Sequence, residues 1–303
     1  MKLLIVCQAL DKNHDNLGFF PRWVQEFAKH CDSVVVIASL VGTHDLPPNV
    51  AVHSLGKERN NTSPERALRL LYLSWKLRKE YDAVFVHMIP EFVLLCGLDW
   101  RAMGKKVGLW YVHGTVSWRL QLAEKLVHHI FTTSPESCRI SSPKVHMVGH
   151  GIDVDFFTPD PSVTRGRHLL SVGRLSKSKR HDLAIRLAYE KNLPLRIAGS
   201  GPDRESLDSL ARVLKVDVAF LGGISQEALR DEYRKTAALV HRSETGSIDK
   251  VVLEALACDT SIDATGLAYK NFPHKKGTLF DYVKDNHSLA KLVPNIIMFY
   301  TVK

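Results

Sequence analysis

The sequence predicts an α/β protein with two domains that face each other across a cleft, each built around a doubly wound parallel sheet. With 303 residues, the chain is long enough for two ordinary domains. In both halves, short apolar segments alternate with helical patterns, which is typical of consecutive β-α-β units. The segment 151–167 interrupts this alternation with two prolines and no periodicity. We therefore predict an N-terminal domain over residues 1–160 and a C-terminal domain over residues 161–303.

The first half opens with an apolar segment, LLIVCQAL, that predicts a buried strand. A loop through Gly18 and a helix over residues 21–30 follow, and Pro21 suits the first turn of that helix. Further strands are predicted at residues 33–40, 83–87, 106–111, 129–132 and 145–148.

The second half repeats this alternation. Strands are predicted near residues 168–172, 195–198, 218–221 and 238–241, and helices near residues 180–190, 203–214, 226–235 and 250–257. In open parallel sheets, ligands bind beyond the carboxyl ends of the strands, where helix N-termini present unpaired backbone N–H groups. We therefore expect the ligand site in the cleft between the two domains.

The composition excludes several classes of protein. The chain has 41 Lys and Arg against 32 Asp and Glu, and the net charge of +9 favours phosphate-bearing or membrane-surface partners. Nucleic acid is not expected, since no recognisable module combines the basic residues with aromatic ones. Five widely spaced cysteines without a C-x2-C pair predict neither disulfides nor zinc. The apolar runs 3–6 and 84–95 are too short for a signal peptide or a membrane span, which favours a cytoplasmic protein.

A basic segment follows the first strand of the second half. From Val163 to His181 the chain has six Lys or Arg and no acidic residue, with Arg174 just past the strand and Lys179 at the start of the next helix. A solvated basic turn is the alternative. Because these residues follow a strand end, the pattern favours an anion-binding loop.

Two further segments each run from a strand through a small-residue loop into a helix. AGSGPDRESL at 198–207, with Gly201, lacks the G-x-G-x-x-G spacing, and its acidic helix start would repel a pyrophosphate, which argues against a dinucleotide dehydrogenase. In VHRSETGSIDKVVLEALA at 240–257, loop N–H groups and Lys250 suit a diphosphate, and Glu254 offers acceptors to a ribose diol.

The motifs VGRLSKSK, IAGSGP, FLGGIS and VVLEALA, in that order, resemble retaining GT-B glycosyltransferases of family 4, the glycosyl transferases group 1. In the first half, NLGFFPRWVQEFA, WYVHGTV and VGHGIDVDFFTP resemble that family more loosely. The resemblance implies the GT-B architecture and a metal-independent hexosyl transfer, with retention, from a nucleoside-diphosphate sugar to a hydroxyl of a glycan or lipid-linked acceptor. It implies no cofactor besides the donor, and a role in cell envelope glycan synthesis at the inner face of the membrane.

The resemblance also implies roles for individual residues. Arg174 and Lys179 would bind the diphosphate and act in catalysis, Glu254 would bind the ribose, Gly18 would let the backbone approach the donor, and His113 would face the transferred sugar. A structural role is the alternative for His113. The complete predicted nucleotide-sugar site consists of Gly18, Gly173, Arg174, Lys179, Gly201, Ser243, Glu244, Gly246, Ser247, Lys250 and Glu254.

The sequence departs from the family pattern in two places. The family commonly has a pair of glutamates, of which Glu254 matches the second. The first, which is expected to contact the donor sugar, would lie eight positions before Glu254, where this chain has Gly246. Either Glu244 reaches in from a longer loop, or Ser247 and Asp249 replace that glutamate. Fewer residues follow Glu254 than in most members of the family. We therefore expect either that the IIMFY segment docks on the first domain or that the chain is truncated. These departures keep two alternatives open: a non-catalytic nucleotide-sugar-binding protein, and an epimerase or phosphorylase of similar shape.

Two patterns have a structural alternative. Asp153-Val-Asp155 imitates a metal-binding D-x-D, but its position between domains favours a turn, and no metal is predicted. The segment 117–129 has one apolar helical face, and with Arg66, Arg69, Lys76, Arg78 and Lys79 it is suited to peripheral contact with anionic lipid. A core-facing helix with a solvated side is the alternative.

Overall fold

The computed structural model describes residues 1–243, 248–265, 269 and 278–301. The chain forms two compact units, one comprising Met1–Gly151 with Leu289–Lys303 and the other Ile152–Ser288. The boundary lies after Gly151 and not at the predicted residue 160. Residues 152–157 belong to the second unit because Ile152 forms a bridge with Ser288 and Phe157 is buried in that unit's core.

The first unit contains a seven-stranded parallel sheet with the order β3-β2-β1-β4-β5-β6-β7. Its strands are β1 Lys2–Leu10, β2 Ser33–Val41, β3 Val50–Ser54, β4 Ala83–His87, β5 Lys106–Trp110, β6 His129–Thr132 and β7 Val145–Met147. Its helices up to the boundary are α1 Phe20–His30, α2 Ser63–Lys76, α3 Pro90–Ala102 and α4 Trp118–Leu126. The strand β3 was not predicted, because its side chains are only partly buried.

Successive residues of β1 point to opposite faces of this sheet. Leu3 and Ile5 join one apolar core with α1, whereas Leu4 and Val6 join a second core with α2, α3 and α4. Both faces are therefore covered, which explains why the central strands are continuous apolar runs.

Local sequence signals set the ends of the helices in this unit. The α2 helix begins at a capping box, in which the Glu65 carboxylate accepts the Thr62 N–H at 2.6 Å. The Ser117 hydroxyl caps α4, which ends at Leu126, so the helix is shorter than the predicted 117–129. Ile130, the residue after that segment, lies in β6.

The second unit contains a five-stranded parallel sheet with the order β10-β9-β8-β11-β12. The strands are β8 Leu169–Val172, β9 Leu195–Ala198, β10 Val218–Gly222, β11 Ala238–His241 and β12 Ser261–Ala264. The helices are α5 His181–Lys191, α6 Arg204–Leu214, α7 Gln226–Lys235, α8 Lys250–Ala257 and α9 Leu279–His287. The predicted elements agree with these within a few residues, and two elements were not predicted: β12, a partly buried edge strand, and the helix α9.

The last helix, α10 Leu289–Thr301, returns to the first unit. Leu292 and Ile296 pack in the core beneath α1, and the Tyr300 hydroxyl donates to the Val84 carbonyl at 3.1 Å. A side chain at Gly108 would overlap the Tyr300 ring, so that glycine makes room for the helix. Although α10 is apolar, no helix among the described residues is long and apolar enough to span a bilayer.

Two histidines lie beside α10. His129 Nδ1 is 3.1 Å from His146 Nε2, and the Phe299 ring lies 4.1 Å from the His146 ring. Burial, followed by the neighbouring His146, lowers the pKa of His129 from 6.5 to about 4, and burial also lowers the pKa of His146. Both rings are therefore neutral in the folded protein at pH 7.

We predict that the free energy of unfolding falls between pH 6.5 and pH 4. Over this range the unfolded chain binds a proton at His129, whereas the folded protein binds it only near pH 4; the lowered pKa of His146 acts in the same direction, so acid favours unfolding. Denaturant unfolding at pH 7 and pH 5, followed by tryptophan fluorescence, measures the difference. His129→Asn should show a smaller loss than the parent protein, and an equal loss would contradict the assignment.

Candidate active site

Three loops of the second unit lie at one edge of its sheet. They follow β8 (173–180), β9 (199–203) and β11, where the described loop residues are 242, 243, 248 and 249. Because β8 is paired in parallel with both β9 and β11, the carboxyl ends of these strands are adjacent. This edge is where ligands bind in open parallel sheets.

The loops after β8 and β9 pack backbone against backbone. The Leu175 N–H donates to the Ser200 carbonyl at 2.9 Å. Gly199 and Gly201 have φ values of 142° and 158°, and a Cβ at Gly199 would overlap the Gly173 carbonyl, as one at Gly201 would overlap the Leu175 backbone. Gly201 therefore fixes the loop that carries Arg174, a packing role in addition to its predicted place in the nucleotide site.

Lys179 links the loop after β8 to the loop after β11. Its Nζ forms an ion pair with the Asp249 carboxylate and lies 3.4 Å from Ser243 Oγ. Gly173, the predicted neighbour, lies against the aliphatic part of Lys179. The structure thus brings Gly173, Lys179 and Ser243 together, as expected for one site.

Asp249 is held by two basic side chains. In addition to Lys179, His241 Nε2 lies 3.0 Å from Asp249 Oδ2. Although burial alone would raise the pKa of Asp249, the hydrogen bond with His241 and the charge of Lys179 hold it well below its ordinary value. The Asp249 backbone N–H donates to the Tyr269 hydroxyl at 3.2 Å. Asp249 is therefore a charged, positioned carboxylate at the edge of the sheet.

Arg174 differs from Lys179 because its side chain is exposed. No hydrogen bond or ion pair joins its guanidinium to any of the described side chains. An anion at this edge can therefore bind Arg174 without breaking an internal contact.

Glu254 is buried in α8 and has two neighbours among the described residues. Lys250 Nζ lies 3.4 Å from Oε1, as the i, i+4 spacing allows, and the Tyr233 hydroxyl donates to Oε2 at 3.3 Å. Burial and the adjacent Glu254 raise the pKa of Tyr233 well above its ordinary value, so this hydroxyl remains a donor. Lys250, predicted to contact a diphosphate, contacts Glu254 here.

The other predicted site residues lie elsewhere. Gly18 and His113 belong to the first unit, where they follow β1 and β5 at the carboxyl edge of that sheet. His113 is exposed, and its Nδ1 accepts the Thr115 N–H at 3.1 Å, so the neutral ring carries its proton on Nε2. Glu244, Gly246 and Ser247 lie outside the described residues.

Sequence reasoning missed His241 as a member of this site. Its position at the end of a buried strand, one loop before Asp249, was the available signal. The D-x-D pattern forms a turn, as favoured: Asp153 Oδ1 accepts the N–H groups of Asp155 and Phe156 at 3.2 and 3.1 Å.

The model of the family described as glycosyl transferases group 1 matches residues 157–297. Over these residues the chain is similar to the glycosyl transferases group 1. The matched region contains β8 to α9, including the loops with Arg174, Lys179 and Asp249 and the helix with Glu254. The resemblance predicted from the ordered motifs is therefore confirmed.

Two curated relatives of this chain have the same name. The GDP-mannose-dependent alpha-mannosyltransferase of Mycobacterium tuberculosis is 26% identical over 227 residues, which cover 71% of this chain and 57% of that protein. Its namesake from Mycolicibacterium smegmatis is 32% identical over 167 residues, 51% of this chain and 44% of that protein. The chain spans about half the length of the curated relatives that it matches.

Solved structures of other proteins share the fold of the chain. Anabaena HepE in complex with UDP and glucose is similar with a TM-score of 0.67 and 14% identity, over 99% of this chain and 95% of that chain. WaaG, a glycosyltransferase involved in lipopolysaccharide biosynthesis, is similar with a TM-score of 0.67 and 13% identity, over 99% of this chain and 100% of that chain. These similarities confirm the predicted GT-B fold.

We predict that Gly201→Ala destabilises the second unit by about 3 kcal/mol, because a Cβ overlaps the Leu175 backbone and the φ value is unfavourable. Gly222→Ala is the matched control, since Gly222 also has a positive φ but a Cβ there meets open space. The control should lose only about 1 kcal/mol. Equal losses in thermal or denaturant unfolding would contradict the backbone packing.

Proposed function

We propose that this protein transfers a hexosyl group from a nucleoside-diphosphate sugar to a hydroxyl acceptor, with retention at the anomeric carbon. The observation that carries this proposal is the position of Lys179. Its Nζ joins the loops after the adjacent strands β8 and β11, and the exposed Arg174 lies in the same loop as Lys179. Two cations at the carboxyl edge of a parallel sheet suit a diphosphate. The family whose model matches residues 157–297 supports the same reaction class.

Leaving-group stabilisation is the main catalytic contribution that we assign to these residues. As the glycosidic bond breaks, negative charge builds on the departing diphosphate, and Arg174 and Lys179 stabilise that charge. Hydrogen bonds to charged groups contribute about 1.5 to 3 kcal/mol each, so two of them lower the barrier enough for a rate gain of about two to four powers of ten. These two cations supply the charge that a metal ion would otherwise provide, so we propose a metal-independent reaction that needs no cofactor besides the donor.

Asp249 constrains how Lys179 can bind a phosphate. An ammonium group has three N–H donors, and among the described residues Lys179 Nζ contacts Asp249 and Ser243. One N–H remains for a phosphate oxygen while the ion pair stays in place. Asp249 then lies next to the bound donor, where a carboxylate is suited to accept a hydrogen bond from a sugar hydroxyl. We propose that Asp249 takes the role of the family's first glutamate, the alternative that the displaced Glu244 left open.

Glu254 is suited to the ribose. Each carboxylate oxygen accepts more than one hydrogen bond, so contacts with Lys250 and Tyr233 still allow Glu254 to accept from two adjacent hydroxyls. Because Lys250 partly neutralises Glu254, the carboxylate repels an adjoining diphosphate less than an unpaired one would.

His113 completes the proposal in the first unit. With Nδ1 accepting from Thr115, the neutral ring presents Nε2–H as a donor, which suits a sugar hydroxyl rather than a nucleophilic role. Gly18 follows β1 at the same edge of that sheet, where a glycine allows the backbone to approach a ligand. We propose that both residues contact the sugar side of the donor.

The base and sugar of the donor, and the acceptor, can each be tested among a small number of candidates. The mycobacterial relatives are named for GDP-mannose and the Anabaena structure contains UDP and glucose, so both donors are the first to test. For the acceptor we propose a glycan or lipid-linked hydroxyl in cell envelope synthesis, reached from the cytoplasm. Binding of a sugar nucleotide without transfer to any acceptor would instead favour a non-catalytic protein, and a new sugar-nucleotide isomer or a phosphate requirement would favour an epimerase or phosphorylase.

We predict that Arg174→Ala and Lys179→Ala each weaken binding of the nucleoside diphosphate at least about tenfold, because each removes one charge-assisted hydrogen bond. Glu254→Gln should weaken binding of the nucleoside diphosphate but not of inorganic pyrophosphate, since the ribose contact is altered. Calorimetry with GDP, UDP and ADP measures these affinities. Arg212→Ala, which removes an equal charge at the far end of α6, is the control. Unchanged affinity in all three folded site variants would remove the proposed site.

A second prediction separates the two possible effects of Asp249. Asp249→Asn removes a negative charge beside the diphosphate, while its amide oxygen still accepts from Lys179 and keeps that side chain in place, so binding of the nucleoside diphosphate should tighten by about tenfold. The same variant should lose discrimination between donor sugars in transfer assays, because the carboxylate that contacts the sugar is lost. Tighter diphosphate binding with unchanged sugar preference would leave Asp249 as a counterion of Lys179 only and would contradict its role in sugar recognition.

A further inference from the structure

An apolar stripe lies on the solvent side of α2. Leu68, Tyr72 and Trp75 occupy positions i, i+4 and i+7, and their side chains are 68%, 58% and 61% exposed. Leu70 and Leu73 bury the opposite side of the helix in the core. With 3.6 residues per turn, the exposed residues form a continuous line along one face. The α2 helix is therefore apolar on both sides, and its outer stripe is not used by the fold of the first unit.

Exposed apolar side chains also lie on the neighbouring helices. The helices α3 and α4 cover the same face of the sheet as α2. Seven large hydrophobic side chains are exposed on these three helices, whereas four others are exposed elsewhere among the described residues. The seven are Leu68, Tyr72, Trp75, Leu95, Leu98, Trp118 and Leu122. Clustering of this kind on one layer of helices marks an interaction surface, whereas isolated exposed side chains do not.

Basic residues surround the stripe. Residues 63–79 contain five cations and one acidic residue, Glu65, whose carboxylate is held by the capping box. The cations are Arg66, Arg69, Lys76, Arg78 and Lys79. On α4, Arg119 forms an ion pair with Glu91 of α3 at 3.3 Å, so the excess positive charge is concentrated on α2. A partner that covers this surface must be negatively charged around an apolar contact.

The aromatic residues and the cations contact each other. The Arg78 guanidinium lies 3.8 Å from the centre of the Trp75 ring, Lys76 Nζ lies 5.6 Å from that of Tyr72, and the Arg119 guanidinium lies 4.9 Å from that of Trp118. Each pair presents an apolar ring next to a cation. Tyrosine and tryptophan prefer the boundary between hydrocarbon and water, and long cationic side chains keep their charge at the headgroups while their stems lie on apolar surface.

We propose that the outer surface of α2, α3 and α4, named here the α2–α4 surface, binds the headgroup layer of an anionic lipid bilayer. Leu68, Tyr72 and Trp75 enter the interface, and the surrounding cations bind lipid phosphates. Binding combines buried apolar area with attraction to negative lipid, the two contributions that reversible peripheral association requires. The observations concern the first unit alone, so this inference does not depend on the proposed transfer reaction.

Sedimentation with vesicles tests the α2–α4 surface in the full-length protein. The vesicles contain either phosphatidylcholine alone or phosphatidylcholine with phosphatidylglycerol. We expect binding to the anionic vesicles to be at least about tenfold tighter than to the neutral ones and to weaken with salt. Fluorescence adds a local readout: the emission should shift to shorter wavelength on anionic vesicles, and Trp75→Phe should reduce that shift.

Two sets of variants separate the apolar and the charged contributions. Leu68→Ser, Tyr72→Ser and Trp75→Ser together should weaken vesicle binding at least about tenfold. Lys76→Gln, Arg78→Gln and Lys79→Gln together should weaken it about a hundredfold, since each cation contributes about fivefold. Tyr189→Ser with Val213→Ser is the control, because these two exposed apolar residues lie in the second unit and should not affect binding.

Three outcomes would overturn the proposal: no binding to anionic vesicles at low salt, equal binding to neutral vesicles, or binding that neither set of variants weakens. Sedimentation equilibrium in the absence of lipid tests whether a second copy of the chain, and not a bilayer, covers the α2–α4 surface. A dimer that the serine variants dissociate, together with no vesicle binding, would show that a second copy of the chain covers the surface. All variants change exposed side chains, and thermal unfolding verifies that they remain folded.

Discussion

The ion pair between Lys179 and Asp249 is the interaction on which the geometry of the candidate site depends. It joins the loop after β8 to the loop after β11, two strands that are adjacent in space but separated by three helices in sequence. Without a partner, a partly buried ammonium would favour a more solvated position, because burial penalises the charged form. Asp249 therefore keeps Lys179 in place, and His241 in turn holds Asp249. The cation is positioned before any anion arrives, which lowers the cost of ordering it on binding.

The parallel sheets were predictable from the sequence because both faces of each central strand are buried. Strands such as β1 and β2 are continuous apolar runs, and strand-to-helix alternation fixes their direction. The edge strands β3 and β12 were not predictable on the same basis, since their side chains are only partly buried and carry polar residues such as His53 and Asp263. The domain boundary was misplaced for a related reason: prolines mark the irregular segment, but the buried Phe157 decides which core it joins.

Site residues whose role depends on their position relative to a strand were predictable from the sequence. Site residues whose role depends on a contact between side chains were not. Arg174 and Lys179 follow β8, and Glu254 lies in a helix, which the alternation of elements already implies. That Lys179 pairs with Asp249, and Lys250 with Glu254, depends on rotamers and on packing between loops that no spacing specifies. Asp249 had been considered only as a replacement for a missing glutamate. Its second function, as the counterion of Lys179, follows from the distance between the two side chains.

The return of α10 to the first unit constrains how that unit folds. Leu292, Val293, Ile296 and Tyr300 lie in the same core as Leu3 and Ile5 of β1, so the beginning and the end of the chain share one apolar core. A core of this kind cannot be complete until the segment 152–288 has been synthesised and its ends have come together. Bringing together ends so far apart costs loop-closure entropy, although this cost grows only slowly with length. The bridge between Ile152 and Ser288 offsets part of it, because the folded second unit places the two ends of that segment side by side. The second unit therefore acts as a closed insertion, and its folding shortens the effective distance between α10 and the sheet to which α10 belongs.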